Sequence, residues 1–470
     1  MSPAPEVAPF IDEIGRTPLT KHIFAAAAFS YAIDNASFTL LSLFVAMGSA
    51  GDGGSSDGLP LYTTFLHFGG TAAGAALAGT VASKWGRMPA FLATLVVIAA
   101  AAFVLVCPVS RAVQSSAIFV VGLGVGANMP IDSSIIAEFS PSTTRGRTSL
   151  TASLAWSFGS VAAAGVVGFA SSAAAPGTVL RTSYAVFGAV TAVGVAFRIL
   201  QRPPESPLWL ATRGRWSEVR TVLERLAASM TDRLAARSVR YELAAVDWPA
   251  DETPGRAAAR RFAAPNATLG QLLRGPHGRT AALLGFIWFG TAIGFGAINF
   301  FAPALLLTTA SYATPEAALA SVARDTVIYA VAGIPGSLLG ARLVEHRSLG
   351  RRLTLAGSTV ACSACVLLIV TKAVTQSSAT ILATLAVFNC AAQVMFAVLY
   401  CYTPEVFPTE VRTTATGACS ALARIAGLIF PFVFTTAGFA AAEAMAVGAF
   451  ALSAIAAFAL RTETRGVALE

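Results

Sequence analysis

Apolar stretches long enough to cross a bilayer recur twelve times along the chain, at about residues 22–48, 61–83, 89–107, 113–139, 150–171, 181–200, 280–308, 325–344, 353–371, 378–402, 412–436 and 440–460. A helix rises 1.5 Å per residue, so about 20 mostly apolar residues cover the hydrocarbon core. The pattern predicts an all-α polytopic membrane protein with twelve transmembrane helices. The first stretch follows Asp12, Glu13 and Arg16 and is not closed by a small-residue cleavage site, so it reads as a retained helix.

Polar positions add an orientation. Lys84 and Arg87, Arg145 and Arg147, the 201–279 segment, Arg342, Arg347, Arg351, Arg352, Arg412, Arg461 and Arg465 fall in alternate loops. The opposite loops carry Arg111, Arg181, Arg324 and Lys372. The positive-inside rule then places both termini and the central segment in the cytoplasm. Three parts are expected: a six-helix bundle over 1–200, a linker over 201–279, and a second bundle with its tail over 280–470. Trp216, Val219, Val222, Leu223 and Leu226 have helical spacing, which predicts short amphipathic helices in the linker. Asn266 opens a glycosylation sequon that this topology leaves unused.

Composition removes several function classes. The chain is 55% hydrophobic and 12% charged, far from the one-quarter charged residues of a soluble domain. Its net charge of +8 is spread among loops, not gathered into a nucleic-acid patch. Six cysteines lie in or beside apolar runs, and the Cys362/Cys365 pair reads as helix packing. No G-x-x-x-x-G-K-[ST] phosphate loop, catalytic pair or metal-ligand set is evident, so neither an enzyme nor a cofactor is implied. Gly122, Gly124 and Gly126 lie inside an apolar helix, where small residues permit close packing.

The halves echo each other. Glu138-Phe-Ser-Pro141-Ser-Thr-Thr-Arg145 and Glu405-Val-Phe-Pro408-Thr-Glu-Val-Arg412 end the fourth and tenth segments with Glu, Pro and Arg at one spacing. Lys84-Trp-Gly86-Arg87 is matched by Gly340-Ala-Arg342, Glu345-His-Arg347 and Gly350-Arg351-Arg352. Arg202-Pro-Pro-Glu205 is matched by Arg461-Thr-Glu463-Thr-Arg465. Three correspondences in one order imply duplication, the architecture of a carrier that rocks one half against the other.

These motifs, with Pro204-Glu205-Ser206-Pro207-Leu208-Trp209-Leu210 and Thr462-Glu463-Thr464-Arg465-Gly466, resemble signatures of the major facilitator superfamily over nearly the whole chain. The Pro-Glu-Ser-Pro-x-Trp-Leu stretch and Gly122-Leu-Gly-Val-Gly-Ala-Asn128-Met-Pro130-Ile-Asp132 resemble the branch of organic cation and anion transporters and synaptic vesicle protein-related proteins. One departure is Ser83, where the family has an acid. The resemblance then expects the first gate to lean on Glu138, Arg87 and Arg145.

Charges at the predicted cytoplasmic helix ends form candidate gates: Arg87, Glu138, Arg145 and Glu205 in one half, Glu345, Arg347, Arg351, Glu405, Arg412 and Glu463 in the other. Pairs that close and separate would bias a rocking equilibrium. Taken singly, each is equally well a solvated loop charge.

A charge inside the membrane costs at least about 2.5–3.5 kcal/mol, which marks Asp34, Asp132 and Arg424. Asp34, with Tyr31 and Phe38 on its face, is a candidate for proton coupling, or for a structural pair with Asn35 or another helix. Asp132 lies one turn beyond Asn128 and follows Pro130, so it belongs to a solute pathway or a structural network. Arg424 is a permanently charged clamp for a carboxylate, or the ion-pair partner of Asp34 or Asp132, or structural. Its segment resembles the eleventh helix of organic anion transporters, where an Arg stands in this place and cation carriers have an acid. Trp156, Asn299, Phe300, Phe301, Gln393, Phe396 and Tyr400 are candidates to complete the pocket. His67 reads as a proton relay or as packing.

The sequence thus predicts a monomeric carrier of a small organic solute, proton-coupled or facilitative, with an aromatic or heterocyclic monocarboxylate favoured. It lies in the plasma membrane or in a vesicle membrane. An organic cation carrier using Asp34 and Asp132 is the second reading. A non-transporting membrane receptor or vesicle component is the third.

Overall fold

The computed structural model describes residues 6–49, 59, 62–142, 144–173, 178–251, 273–275, 277–307, 315–344, 346, 349–371, 377–407 and 409–464. Asn266, Glu345 and Arg347 lie outside the described residues, and so does the side chain of Arg412.

Twelve helices among the described residues are long and apolar enough to span a membrane. The first bundle comprises α2 (Pro18–Ser49), α3 (Tyr62–Trp85), α4 (Arg87–Val106), α5 (Arg111–Phe139), α6 (Arg145–Ala173) and α7 (Val179–Gln201). The second comprises α11 (Gly278–Leu307), α12 (Pro315–Leu343), α13 (Gly350–Val370), α14 (Ser378–Val406) and α15 (Thr409–Ala459). Gly438, at φ 82° and ψ −178°, interrupts α15, so its two arms make the eleventh and twelfth spans. Only helices are seen among the described residues, because backbone polar groups in lipid must be satisfied internally.

The largest departure from the expected boundaries is in the eighth span, whose helix begins at Pro315, ten residues before the expected 325. Arg324 and Asp325 lower the local hydropathy and cut the window short. In the structure Asp325 is 5% exposed and pairs with Arg324 at 2.9 Å, so the helix runs through them.

Among the described residues, four short helices lie outside the bundles: α1 (Ala8–Ile14), α8 (Pro207–Thr212), α9 (Trp216–Ala228) and α10 (Arg233–Ala245). Trp216, Val219, Val222, Leu223 and Leu226 are all buried on the inner stripe of α9. Val7, Ile11 and Ile14 around α1 join that small core, and Phe10 lies 6.3 Å from Trp248. The core is tied to the first bundle. Ser83 O accepts from Trp209 Nε1 at 3.2 Å and from the Arg213 guanidinium, and Asp12 Oδ2 accepts from Ser142 Oγ at 2.7 Å. Ser83, where the resemblance expects an acid, is therefore gripped through its main chain. The side that carries these helices is termed the linker face.

Glycines set the close approach of α3 and α5. A Cβ on Gly126 would overlap the Thr71 carbonyl, and one on Gly122 would overlap that of His67. Between the bundles, α2 packs on α11, α3 on α15 and α6 on α12.

Candidate functional site

Asp34, near the middle of α2, is fully buried, as are Asn128 and Asp132 of α5. Asn128 is the hub: Nδ2 donates to Asp34 Oδ1 at 3.0 Å and to Ser30 Oγ, while Oδ1 accepts from Thr94 Oγ1 of α4 at 2.9 Å. Three helices are joined through one amide. Asn35 is not Asp34's partner; its Nδ2 donates to the Trp156 carbonyl of α6 at 2.7 Å. Asp34 Oδ2 and both Asp132 oxygens meet no donor at bonding geometry among the described residues. Ser30 and Arg198 are close enough to act on Asp132's charge.

Arg424, half-buried on α15, reaches from the second bundle to the first, where Nη2 lies 3.2 Å from Met129 Sδ. It acts electrostatically on Asp34, Tyr31 and Tyr400. Among the described residues it is not within ion-pair distance of Asp34 or Asp132, which sets aside that structural alternative in this conformation. Tyr400 is 53% exposed and packs edge-on against Trp288 at 4.7 Å.

Beyond Arg424, away from the linker face, aromatic rings from both bundles meet. Phe68 of α3 lies 5.8 Å from Phe300 of α11 and 4.9 Å from Phe430 of α15. Phe38 stacks beside Phe68 at 5.4 Å and reaches Trp156 at 6.1 Å. Ser42 Oγ donates to the Phe300 carbonyl across the same interface. His67 sits edge-on to Phe38 at 5.0 Å and bonds to the Ile118 backbone, a packed position.

Other candidates separate from this group. Asn299 Oδ1 accepts from Tyr329 at 2.8 Å, and the Tyr329 carbonyl accepts from Asn389 at 2.8 Å, so Asn299 belongs to a network inside the second bundle. Gln393, half-buried, lies beside Gly333 with Asn389 and Ser157. Phe396 packs on Phe295 at 5.0 Å within the second bundle. The Phe301 side chain lies outside the described residues.

At the linker face one cluster is built twice. Arg87 Nη2 pairs with Glu138 at 2.9 Å, and Glu205 receives the Arg87 and Met88 amides at 2.9 and 3.2 Å. Arg351 Nε pairs with Glu405 at 3.1 Å, and Glu463 receives the Arg351 and Arg352 amides at 3.0 and 3.1 Å. Each second glutamate sits on the N-terminal amides of a helix, where an anion is favoured. Gly86, at φ 107°, precedes α4 and Gly350, at φ 61°, is the first residue of α13, and a Cβ on either would run into the glutamate. Both clusters close within one bundle. Among the described residues, Arg145 is half-buried, its Nε meets no acceptor, and it makes no bond to the first cluster, where the resemblance expected it. Burial raises the pKa of Glu205 above the ordinary carboxylate value, the Glu138 charge adds to this, and the amide bonds oppose it.

Arg198 was not singled out in the sequence. It lies three residues before the end of α7, where a helix-end arginine ordinarily reaches the interface, yet it is 4% exposed.

The chain matches the family described as sugar (and other) transporter over residues 10–470. It is 27% identical to the niacin transporter NiaP of Acinetobacter baylyi over 79% of this chain and 76% of that one. It is 28% identical to the MFS siderochrome iron transporter 1 of Ceriporiopsis subvermispora, over 97% and 89% of the two chains. The fold matches the inward-open xylose transporter XylE of E. coli with a TM-score of 0.70, at 16% identity and covering 95% and 98% of the chains. The chain belongs to the sugar (and other) transporter family and is a multi-pass membrane protein of the major facilitator fold.

Proposed function

We propose that the protein is a proton-coupled carrier of a small organic anion, an aromatic or heterocyclic monocarboxylate, working by alternating access. The observation that carries this reading is Arg424: a permanent cation at mid-helix, reaching between the bundles, with Met129 sulfur beside it and, among the described residues, no carboxylate at ion-pair distance. Holding such a charge in the membrane costs several kcal/mol, on the order of 2.5–3.5 or more, and a bound carboxylate offsets that cost. Tyr400, on which Arg424 acts, and Phe38 with Trp156, one helical turn beyond Asp34, are the candidate faces and edges for a flat ring. A transporter of niacin, itself a heterocyclic monocarboxylate, among the relatives agrees with this solute class.

The linker face is taken as cytoplasmic, as the loop charges direct. The aromatic contact among Phe68, Phe300 and Phe430 then seals the outside, and the two linker-face clusters, each closed within its own bundle, fit an inward-open state. Asp34, with one carboxylate oxygen unsatisfied, is the proton site.

The test is ligand-dependent thermal stabilisation of purified protein by nicotinate, benzoate and tetraethylammonium, repeated on Arg424→Ala. Stabilisation by a carboxylate that Arg424→Ala weakens by at least about tenfold in affinity supports the reading. Stabilisation by the cation alone, lost in Asp34→Asn, supports the organic cation reading, which the unsatisfied oxygens of Asp34 and Asp132 also accommodate.

A further inference from the structure

We propose that Arg198 is a positioning residue that ties the charge on Asp132 to the cytoplasmic cluster of Arg87, Glu138 and Glu205. The inference rests on the proton-coupled reading above and extends it to residues that reading leaves unexplained.

Arg198 does not reach water. Its guanidinium carbon lies 4.0 Å over the Phe91 ring centroid, a cation–π contact, and Nη2 is 3.6 Å from Met88 Sδ. Its Nε and Nη1 meet no acceptor at bonding geometry among the described residues. A ring face and a thioether are weak holds for a buried cation, so its position is set by surrounding charge. Two carboxylates supply it. Asp132 and Glu205 both act on Arg198, one from inside the bundle and one from the linker face. Met88 links the sides directly, because its sulfur touches Arg198 while its amide is bound by Glu205.

Asp132 is equally uncommitted. The groups that face it are Ser30, Tyr31 and Asp34 from α2 and Arg198 from α7, with Arg424 acting on Asp34 and Tyr31 from the second bundle. Asn128, one turn away on the same helix, holds both Ser30 and Asp34. A proton that leaves Asp34 thus has Ser30 and Asp132 as its neighbours on the way to the cytoplasm.

A guanidinium on which two acids act responds to the charge of either. With Asp132 ionised, Arg198 is drawn inward and Glu205 loses a cation. With Asp132 neutral, Arg198 is left to Glu205 and strengthens the within-bundle cluster seen in this structure, the one assigned to the inward-open form. Protonation would then favour opening to the cytoplasm, the order a symporter needs. Such a switch requires a differential interaction with two states, which the pH dependence of the distance between the bundles reads directly.

The experiment measures the distance between spin labels at Lys84→Cys and Arg342→Cys, exposed residues at the linker-face ends of α3 and α12, with Cys107→Ser, in nanodiscs without solute. Between pH 8 and pH 5.5 the wild type is expected to move toward the wide, cytoplasm-open distance, a population ratio change on the order of threefold or more. Asp132→Asn should hold the wide distance at both pH values. Arg198→Met should lose the pH response, and adding Asp132→Asn to it should change nothing further. An Arg198→Met protein that keeps the wild-type response, or effects of the two substitutions that simply add, overturns the inference. If Arg198→Met does not fold, Asp132→Asn, close in shape, decides alone: a retained response overturns the inference. No response in the wild type overturns the proton-coupled reading and this inference with it, whereas a wild-type response that survives in Arg198→Met overturns this inference alone.

Discussion

Asn128 Nδ2 lies 3.0 Å from Asp34 Oδ1, so a carboxylate at the centre of α2 is held by an amide of α5 that also grips α4 through Thr94. The bond fixes one oxygen of Asp34, and the other meets no donor among the described residues. Neutral amides satisfy a buried acid without fixing its charge, which suits a group that must gain and lose a proton.

Removing that amide should be costly. Asn128→Leu leaves Asp34 without its amide donor and takes one partner each from Ser30 and Thr94, and a buried polar group without a partner costs about 1–3 kcal/mol, more for a charged one. A fall in melting temperature larger than that of Asn35→Leu, which loses one bond to the Trp156 carbonyl, is expected from thermal unfolding.

The doubled cluster makes a paired prediction. Gly86→Ala and Gly350→Ala each combine a positive φ with a Cβ directed at Glu205 or Glu463, and each should cost about 1–3 kcal/mol of strain. Gly79→Ala, with open space around it, should be nearly silent. The three melting temperatures check this.

Glu205 gives a pH dependence with a defined sign. Its folded-state pKa lies above the ordinary carboxylate value of 4.5, because burial disfavours the charged form. The folded state therefore binds the proton more tightly than the unfolded chain. That part of the stability is fully present below pH 4.5 and is lost as pH rises through the raised pKa. Glu205→Gln, permanently neutral, should flatten the slope of melting temperature in the mildly acidic range; an unchanged slope would assign it to other groups.

Much of this was legible in the chain, for reasons particular residues make plain. The spans follow from apolar windows, and the repeat could be read because Glu138 and Glu405 are followed by proline and arginine at the same spacing. The structure adds that Arg87 with Glu205, and Arg351 with Glu463, complete each copy from loops more than a hundred residues apart. The buried charges were visible as rare events, but their partners were not. Asp34 finds Asn128 in place of its neighbour Asn35, and Asn299 is claimed by Tyr329 on the next helix. Arg198 was lost in the sequence because a helix-end arginine ordinarily snorkels, and nothing in the linear order brings Phe91 and Met88 beneath it.

The most direct measurement is nicotinate uptake by proteoliposomes under an inward proton gradient, comparing the wild type with Asp34→Asn and Arg424→Lys. The account predicts gradient-driven accumulation in the wild type. It predicts solute exchange without accumulation in Asp34→Asn, and loss of both in Arg424→Lys, whose point charge cannot replace a planar two-pronged donor. Accumulation by Asp34→Asn at the wild-type level, or undiminished exchange by Arg424→Lys, would contradict it.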